Sequence, residues 1–150
     1  MKNINKKYIL LIILLAGLSL RVFSADKKHT LPPVILDDKF YSEMQGVDPI
    51  KRDLFLDKIL NKIVQGRGYV ESVSSHRRYD RNFRIVVRNK EKDHNVLFYI
   101  FSDNDQYVSI LNKDDPFEFK GQFIIYTPVT SKRDLYIFDI ILEDGAVVVE

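Results

Sequence analysis

The spacing of apolar residues changes its period once, around Gly66 and Gly68, and no other feature restricts the fold as much. Before that point Ile50, Leu54, Leu56, Ile59, Leu60, Ile63 and Val64 recur at helical spacing. Lys51, Asp53, Asp57, Lys58, Asn61 and Lys62 fall largely on the opposite side. Asp48-Pro49 supplies a start: a carboxylate accepts an orphan N–H, and proline at the first helical position loses nothing by lacking one. With Gly66 as the residue just past its end, an amphipathic helix is predicted over residues 49–65.

After Gly68 the period falls to two, which is that of strands. Residues 69–74 read as a first strand. In a second, Phe83, Ile85 and Val87 alternate with Arg84, Val86 and Arg88. Residues 96–101 are almost all apolar, as in a strand buried on both faces. A fourth strand alternates through Phe117, Phe119, Phe123 and Ile125 and contains Gly121; residues 135–142 form a fifth. Between the third and fourth, Ser102 or Asp103 with Asp105 or Gln106 three residues on suggests a capping box and one or two helical turns. Asp144-Gly145 marks a turn before a terminal extension at 147–149. The expected order is a long helix, three strands, a short helix and two strands, a β-rich α+β domain.

The first 24 residues belong to a different argument. Lys2, Lys6 and Lys7 precede an apolar run over residues 8–20, and Val22 and Ser24 occupy the −3 and −1 positions of a cut after Ser24. This is the pattern of a cleavable secretory signal peptide, and the run is shorter than the roughly 18–20 residues that span a bilayer. The expectation is a periplasmic or secreted protein, the periplasm being that of a two-membrane bacterium. Membrane contact is expected only if the segment is retained as an anchor. Residues 25–47, with Pro32-Pro33, read as an extended linker or arm, and residues 48–150 as the domain.

Loss of the signal removes four of 23 basic residues and leaves 19 against 21 acidic ones, a formal charge near −2. A globally basic nucleic-acid footprint therefore disappears with it. The chain has no cysteine, which excludes disulfides, thiol chemistry, cysteine-ligated metal and a lipoprotein anchor. His29, His76 and His94 lie far apart, and no H-E-x-x-H, G-x-S-x-G or phosphate-cradling glycine loop occurs. The acids Asp103, Asp105, Asp114 and Asp115 lack calcium-loop spacing, since Tyr107 and Val108 stand where a ligand and a glycine are required. No cofactor or metal is expected.

Five strands with a helical segment between the third and fourth is the order of an OB-fold, a five-stranded Greek-key barrel. Residues 111–121, Leu111-Asn112-Lys113-Asp114-Asp115-Pro116-Phe117-Glu118-Phe119-Lys120-Gly121, resemble the approach to strand four of many OB domains, where a mid-strand glycine lets the strand bend. Over residues 67–149 the chain is similar to small exported bacterial OB-type domains, distantly related to the anticodon-binding superfamily. That resemblance implies an OB-like barrel preceded by one helix, with a ligand surface on the strand 2–3 face. Secreted thermonucleases share the topology, but their paired acids, catalytic glutamate and two arginines have no matching motifs here.

The candidate surface is basic and aromatic. Arg77, Arg78 and Tyr79 fall at the strand 1–2 turn, while Arg84 and Arg88 share one parity of strand two and hence one face; His76, Arg81 and Phe83 lie among them. Guanidinium groups suit carboxylate or phosphate, and a tyrosine ring stacks on a sugar or base. The reading is a non-enzymatic exported interaction module with an envelope protein partner. The alternative is a binder of an anionic ligand, whether an envelope saccharide or a lipid headgroup; nucleic acid is disfavoured. Sequencing the exported protein from its N-terminus is expected to begin at Ala25, and a start at Met1 contradicts the signal-peptide reading.

Overall fold

The computed structural model describes residues 31–89 and 96–143, and all of these but Leu31 belong to a compact unit that begins at Pro32. The predicted signal segment, His29, His94 and the predicted terminal extension lie outside the described residues. In chain order come β1 (Val34–Ile35), α1 (Asp38–Gln45), α2 (Pro49–Asp57), β2 (Ile63–Arg78), β3 (Arg81–Asn89), β4 (Val96–Ser102), α3 (Gln106–Ile110), β5 (Pro116–Pro128) and β6 (Tyr136–Leu142). No described helix is long and apolar enough to cross a membrane.

The six strands make one mixed sheet in the order β1-β2-β3-β4-β6-β5, and β5 also pairs with β2. That last pairing, Ile63↔Gln122 through Tyr69↔Pro116, brings the far strand back to the second one and gives a barrel-like sheet. Most neighbours are antiparallel; β4–β6 and β1–β2 are parallel. The five strands anticipated from the sequence all form, with β1 as a sixth.

Three expectations need correction. The helix predicted over 49–65 ends at Asp57. Asn61 has φ 61°, and the Asn61 N–H donates to Phe123 O (2.8 Å) while the Phe123 N–H donates to Lys62 O (2.9 Å). Sheet pairing thus captures Ile63 and Val64 although their spacing also fits a helix, an instance of tertiary context overriding local pattern. Gly66 is accordingly a strand residue rather than a helix stop. Second, the supposed extended arm contains α1, capped by Asp37, whose Oδ1 accepts from Phe40 N at 3.0 Å. Its Phe40, Tyr41 and Met44 join the main core. Third, the capping box before α3 does not form. Asp103 instead receives Arg81 (3.1 Å) and the backbone N–H and side chain of Asn82 (3.1 and 3.0 Å), which ties the segment to β3.

Core and shell follow strand parity. Val64 and Val70 of β2, Ile85 and Val87 of β3, Phe98 and Ile100 of β4, Phe117, Phe119 and Phe123 of β5, and Phe138 and Ile140 of β6 share one buried cluster. Phe98 lies 4.8 Å from Phe119 and Phe123 lies 5.0 Å from Phe138, centroid to centroid, so aromatic rings fill the interior. Beside it, Asp53 of α2 accepts from Tyr136 OH (3.0 Å) and pairs with Arg133 (2.9 Å), while Tyr126 OH donates to Asp57 (2.7 Å). These bonds fasten α2 to β5, β6 and the loop between them.

Two glycines mark where strands approach too closely for a side chain. A Cβ on Gly68 would lie 2.1 Å from Arg88 O, and one on Gly121 would lie 2.3 Å from Ile141 O. In both cases the obstacle is backbone, which cannot swing aside. Gly121→Ala is expected to destabilise the protein by about 2 kcal/mol or more, the upper part of the usual overpacking range. Urea unfolding measures this, and an unchanged midpoint contradicts the close approach.

Candidate functional site

The outward face is defined by register. Across β2, β3, β4 and β6, Tyr69, Arg88, Leu97 and Ile137 form one row; Ser72, Val86, Tyr99 and Asp139 a second; Ser74, Arg84, Phe101 and Ile141 a third. Residues directly opposite on neighbouring strands share a face, so these rows are the side turned away from the core. Arg84 and Arg88 do lie on it together. Leu97, Tyr99, Ile137 and Ile141 are half-buried there.

Most of the candidate arginines already have carboxylate partners within the chain. Arg88 Nε lies 3.2 Å from Glu71 Oε1 and its Nη2 lies 3.0 Å from Asp114 Oδ1, with the guanidinium 5.6 Å from the Tyr69 ring. Arg78 Nη1 lies 3.0 Å from Asp139 Oδ2. Arg84 sits 4.7 Å over the Tyr99 ring, and its buried Nε has no hydrogen-bond partner among the described residues. Arg77 is exposed at the hairpin end. Of the four, Arg77 and Arg84 have no carboxylate partner among the described residues.

Tyr79 is a clasp rather than a free stacking platform. Its hydroxyl donates to Asp139 Oδ2 at 2.7 Å, and its ring meets Phe101 edge-on at 5.1 Å. Arg78 lies 4.8 Å over the same tyrosine ring. The hairpin end therefore folds onto the outer face of β4 and β6, which is why Phe101 is fully buried although its parity points outward. Register shifts in β2 between Val70 and Ser72 and between Ser75 and Arg78 supply the bend.

This geometry has a backbone cost. Tyr79 and Asp80 have φ of 56° and 55°, the two left-handed residues of a type I′ hairpin turn. Such turns favour Asn-Gly, and each L-residue with a Cβ costs about 1–2 kcal/mol there, less for Asp. The bonds to Asp139 hold the turn in place.

Asp139 escaped the sequence reading, as did Phe101 and Tyr99. Asp139 did carry a mark: it is the single charge in the apolar run Tyr136–Leu142. A carboxylate in a strand otherwise built for burial requires a partner, and the partner was among the candidate residues.

A concavity of about 370 Å³ lies between residues 35–41 and the β2–β5 edge, with Gln65, Arg67, Asn89 and Glu118 in its lining. Arg67 and Glu118 are cross-strand neighbours in register.

Burial above all, then the hydrogen bond to Asp139 and its negative charge, push the Tyr79 hydroxyl from its ordinary 10.0 to about 12. A tyrosine harder to deprotonate when folded contributes stability that is complete below pH 10 and declines as pH rises toward 12. Tyr79→Phe is expected to cost about 1 kcal/mol near neutrality, allowing for partial exposure. It is also expected to flatten the alkaline decline, read by urea unfolding at several pH values. Identical pH profiles for both proteins contradict the clasp.

No protein-family model matches this sequence, and no curated protein matches it. Solved structures similar at low identity include the following three. An OBody bound to hen egg-white lysozyme aligns with a TM-score of 0.40 and 14% identity, over 71% of this chain and 92% of that one. The asparaginyl-tRNA synthetase of Entamoeba histolytica, in complex with asparaginyl-adenylate, gives 0.37 and 16%, over 60% and 21%. A protein described as an aspartyl-tRNA synthetase from Leishmania major Friedlin gives 0.42 and 13%, over 93% and 26%. The chain thus spans only 21% and 26% of the length of these two synthetases.

Proposed function

We propose that this chain is an exported, non-enzymatic interaction module of the bacterial cell envelope, and that a protein partner docks on the outer face of β3, β4 and β6 beside the β2–β3 hairpin. In this reading β2, β3, β4, β6 and β5 are the five strands of an OB-type barrel, and β1 with the two leading helices is an addition to it. The pairing order, with β4 and β6 parallel and β5 returning to β2, supports that assignment.

The observation that carries the partner class is the internal neutralisation of the arginines. A groove for a polyanion needs guanidinium groups open to phosphate, whereas Arg78, Arg81 and Arg88 are each paired with a carboxylate of the same chain. What remains is a patch of half-buried aliphatic and aromatic side chains, Leu97, Tyr99, Ile137 and Ile141, bordered by the paired charges of Arg78, Arg88 and Asp139. Apolar centre and polar rim is the usual anatomy of a protein–protein contact. Arg77 and the unpaired Nε of Arg84 favour a second reading, a carboxylated saccharide or a lipid headgroup held between them and Tyr99.

The test is site-specific photocrosslinking in the native envelope, with the reactive group at Tyr99 and, as control, at exposed Ile50. A discrete crosslinked protein from position 99, lost when Arg84→Glu and Ile137→Asp are added and absent from position 50, is expected. If neither position yields a protein adduct while Arg77→Ser and Arg84→Ser abolish retention on an anionic saccharide or phospholipid matrix, the second reading replaces the first.

A further inference from the structure

Asp139 is the one buried charge among the described residues, at 2% exposure, and it sits on the outer side of the sheet rather than in the core. A buried carboxylate is tolerated only when its acceptors are satisfied. Here a single segment brings both partners of one oxygen: Tyr79 OH at 2.7 Å and Arg78 Nη1 at 3.0 Å reach Oδ2 from the end of the β2–β3 hairpin. The same segment covers Phe101, leaving it 0% exposed. It reaches that position through two consecutive left-handed residues that are not glycine.

A cation and an aromatic ring, adjacent in sequence, thus occupy a receptor made of an outward carboxylate and an outward phenyl ring. Their placement next to Tyr99, Ile137 and Ile141 puts them at the border of the docking face. We propose that the Arg78–Tyr79 end is an intramolecular stand-in for the partner. The partner presents a polypeptide loop with an arginine or lysine beside a tyrosine, and this pair displaces the chain's own from Asp139 and Phe101. The proposal rests on the docking face described above and names what that face recognises.

Exchange of like for like explains how a buried charge accepts a partner without ever being left bare. The incoming cation and hydroxyl replace the outgoing ones, and the strained turn is released in the process. The same chemistry provides selectivity. A loop without the cation leaves Asp139 buried and underpaired, and one without the ring leaves Phe101 in water.

The chain's own hairpin supplies the probe: a cyclised, fluorescently labelled peptide of residues 75–83 added to the full-length protein. An Arg78→Ala, Tyr79→Ala double variant empties the receptor and is expected to bind the peptide at least ~10-fold more tightly than the parent, by fluorescence anisotropy. Adding Asp139→Asn to that variant is expected to remove the gain, as is replacing the peptide's own Arg–Tyr pair with alanines. In the parent, saturating peptide is expected to speed amide hydrogen exchange in the hairpin end while leaving β4 and β6 unchanged. Equal affinity for parent and double variant overturns the proposal, as does unchanged exchange in the parent. A double variant that does not fold also overturns it, because the hairpin end is then a strut and not a stand-in. If the peptide fails but Tyr99 still crosslinks to a protein, the docking face stands and only the exchange is withdrawn.

Discussion

Because β2 pairs with β5 over residues 63–69 and with β3 over residues 68–78, one strand has to turn from the first neighbour to the second along its own length. The closure of the sheet depends on this turn. It is achieved where side chains are smallest: Gly68 is paired on both edges, to Asn89 and to Phe117, with Arg88 O too near for any Cβ. Gly121 does the same on β5 against Ile141. Once the ring closes, the phenylalanines of β4, β5 and β6 face one another, and α1 and α2 add their few apolar residues to that interior. The closed interior is a consequence of one strand serving two neighbours.

The bend continues past the ring and shapes the outer face. Two register shifts carry the β2–β3 hairpin over β4 and β6, where a carboxylate on β6 receives it. Buried charge, aromatic contact and strained turn form a closed set of mutual requirements. Asp139 needs donors, the donors need the left-handed turn to arrive, and the turn needs Asp139 to be held. A half-buried apolar patch of Leu97, Tyr99, Ile137 and Ile141 lies beside this set.

Charge is distributed in the same economical way. Three arginines of the cluster that stands out in the sequence, Arg78, Arg81 and Arg88, are in the folded chain partners of acids from β2, β6 and the segments flanking α3. Arg88 alone joins Glu71 to Asp114, 17 and 26 residues away in sequence. Such pairs orient neighbouring segments more than they stabilise them, since exposed pairs contribute about 0–1 kcal/mol each. On the proposed reading their larger effect is on recognition, because a neutralised guanidinium attracts a polyanion less.

Local chemistry by itself determined the strands, the Asp48-Pro49 helix start and the common face of Arg84 and Arg88, because period, capping and parity act within a few residues. It also marked Gly121 as the place where a strand could curve without a side chain in the way. Other decisions belonged to tertiary structure. Helical spacing at Ile63 and Val64 yielded to β5, which offers a strand its missing backbone partners. The arm at Asp38–Gln45 became a helix with an apolar side buried in the core. Above all, the pairing of Tyr79 with Asp139 spans 60 residues, and nothing within either segment specifies the other. Long-range contacts of that kind come into being only when the ring closes, so the candidate surface was legible as a set of residues but not as an arrangement.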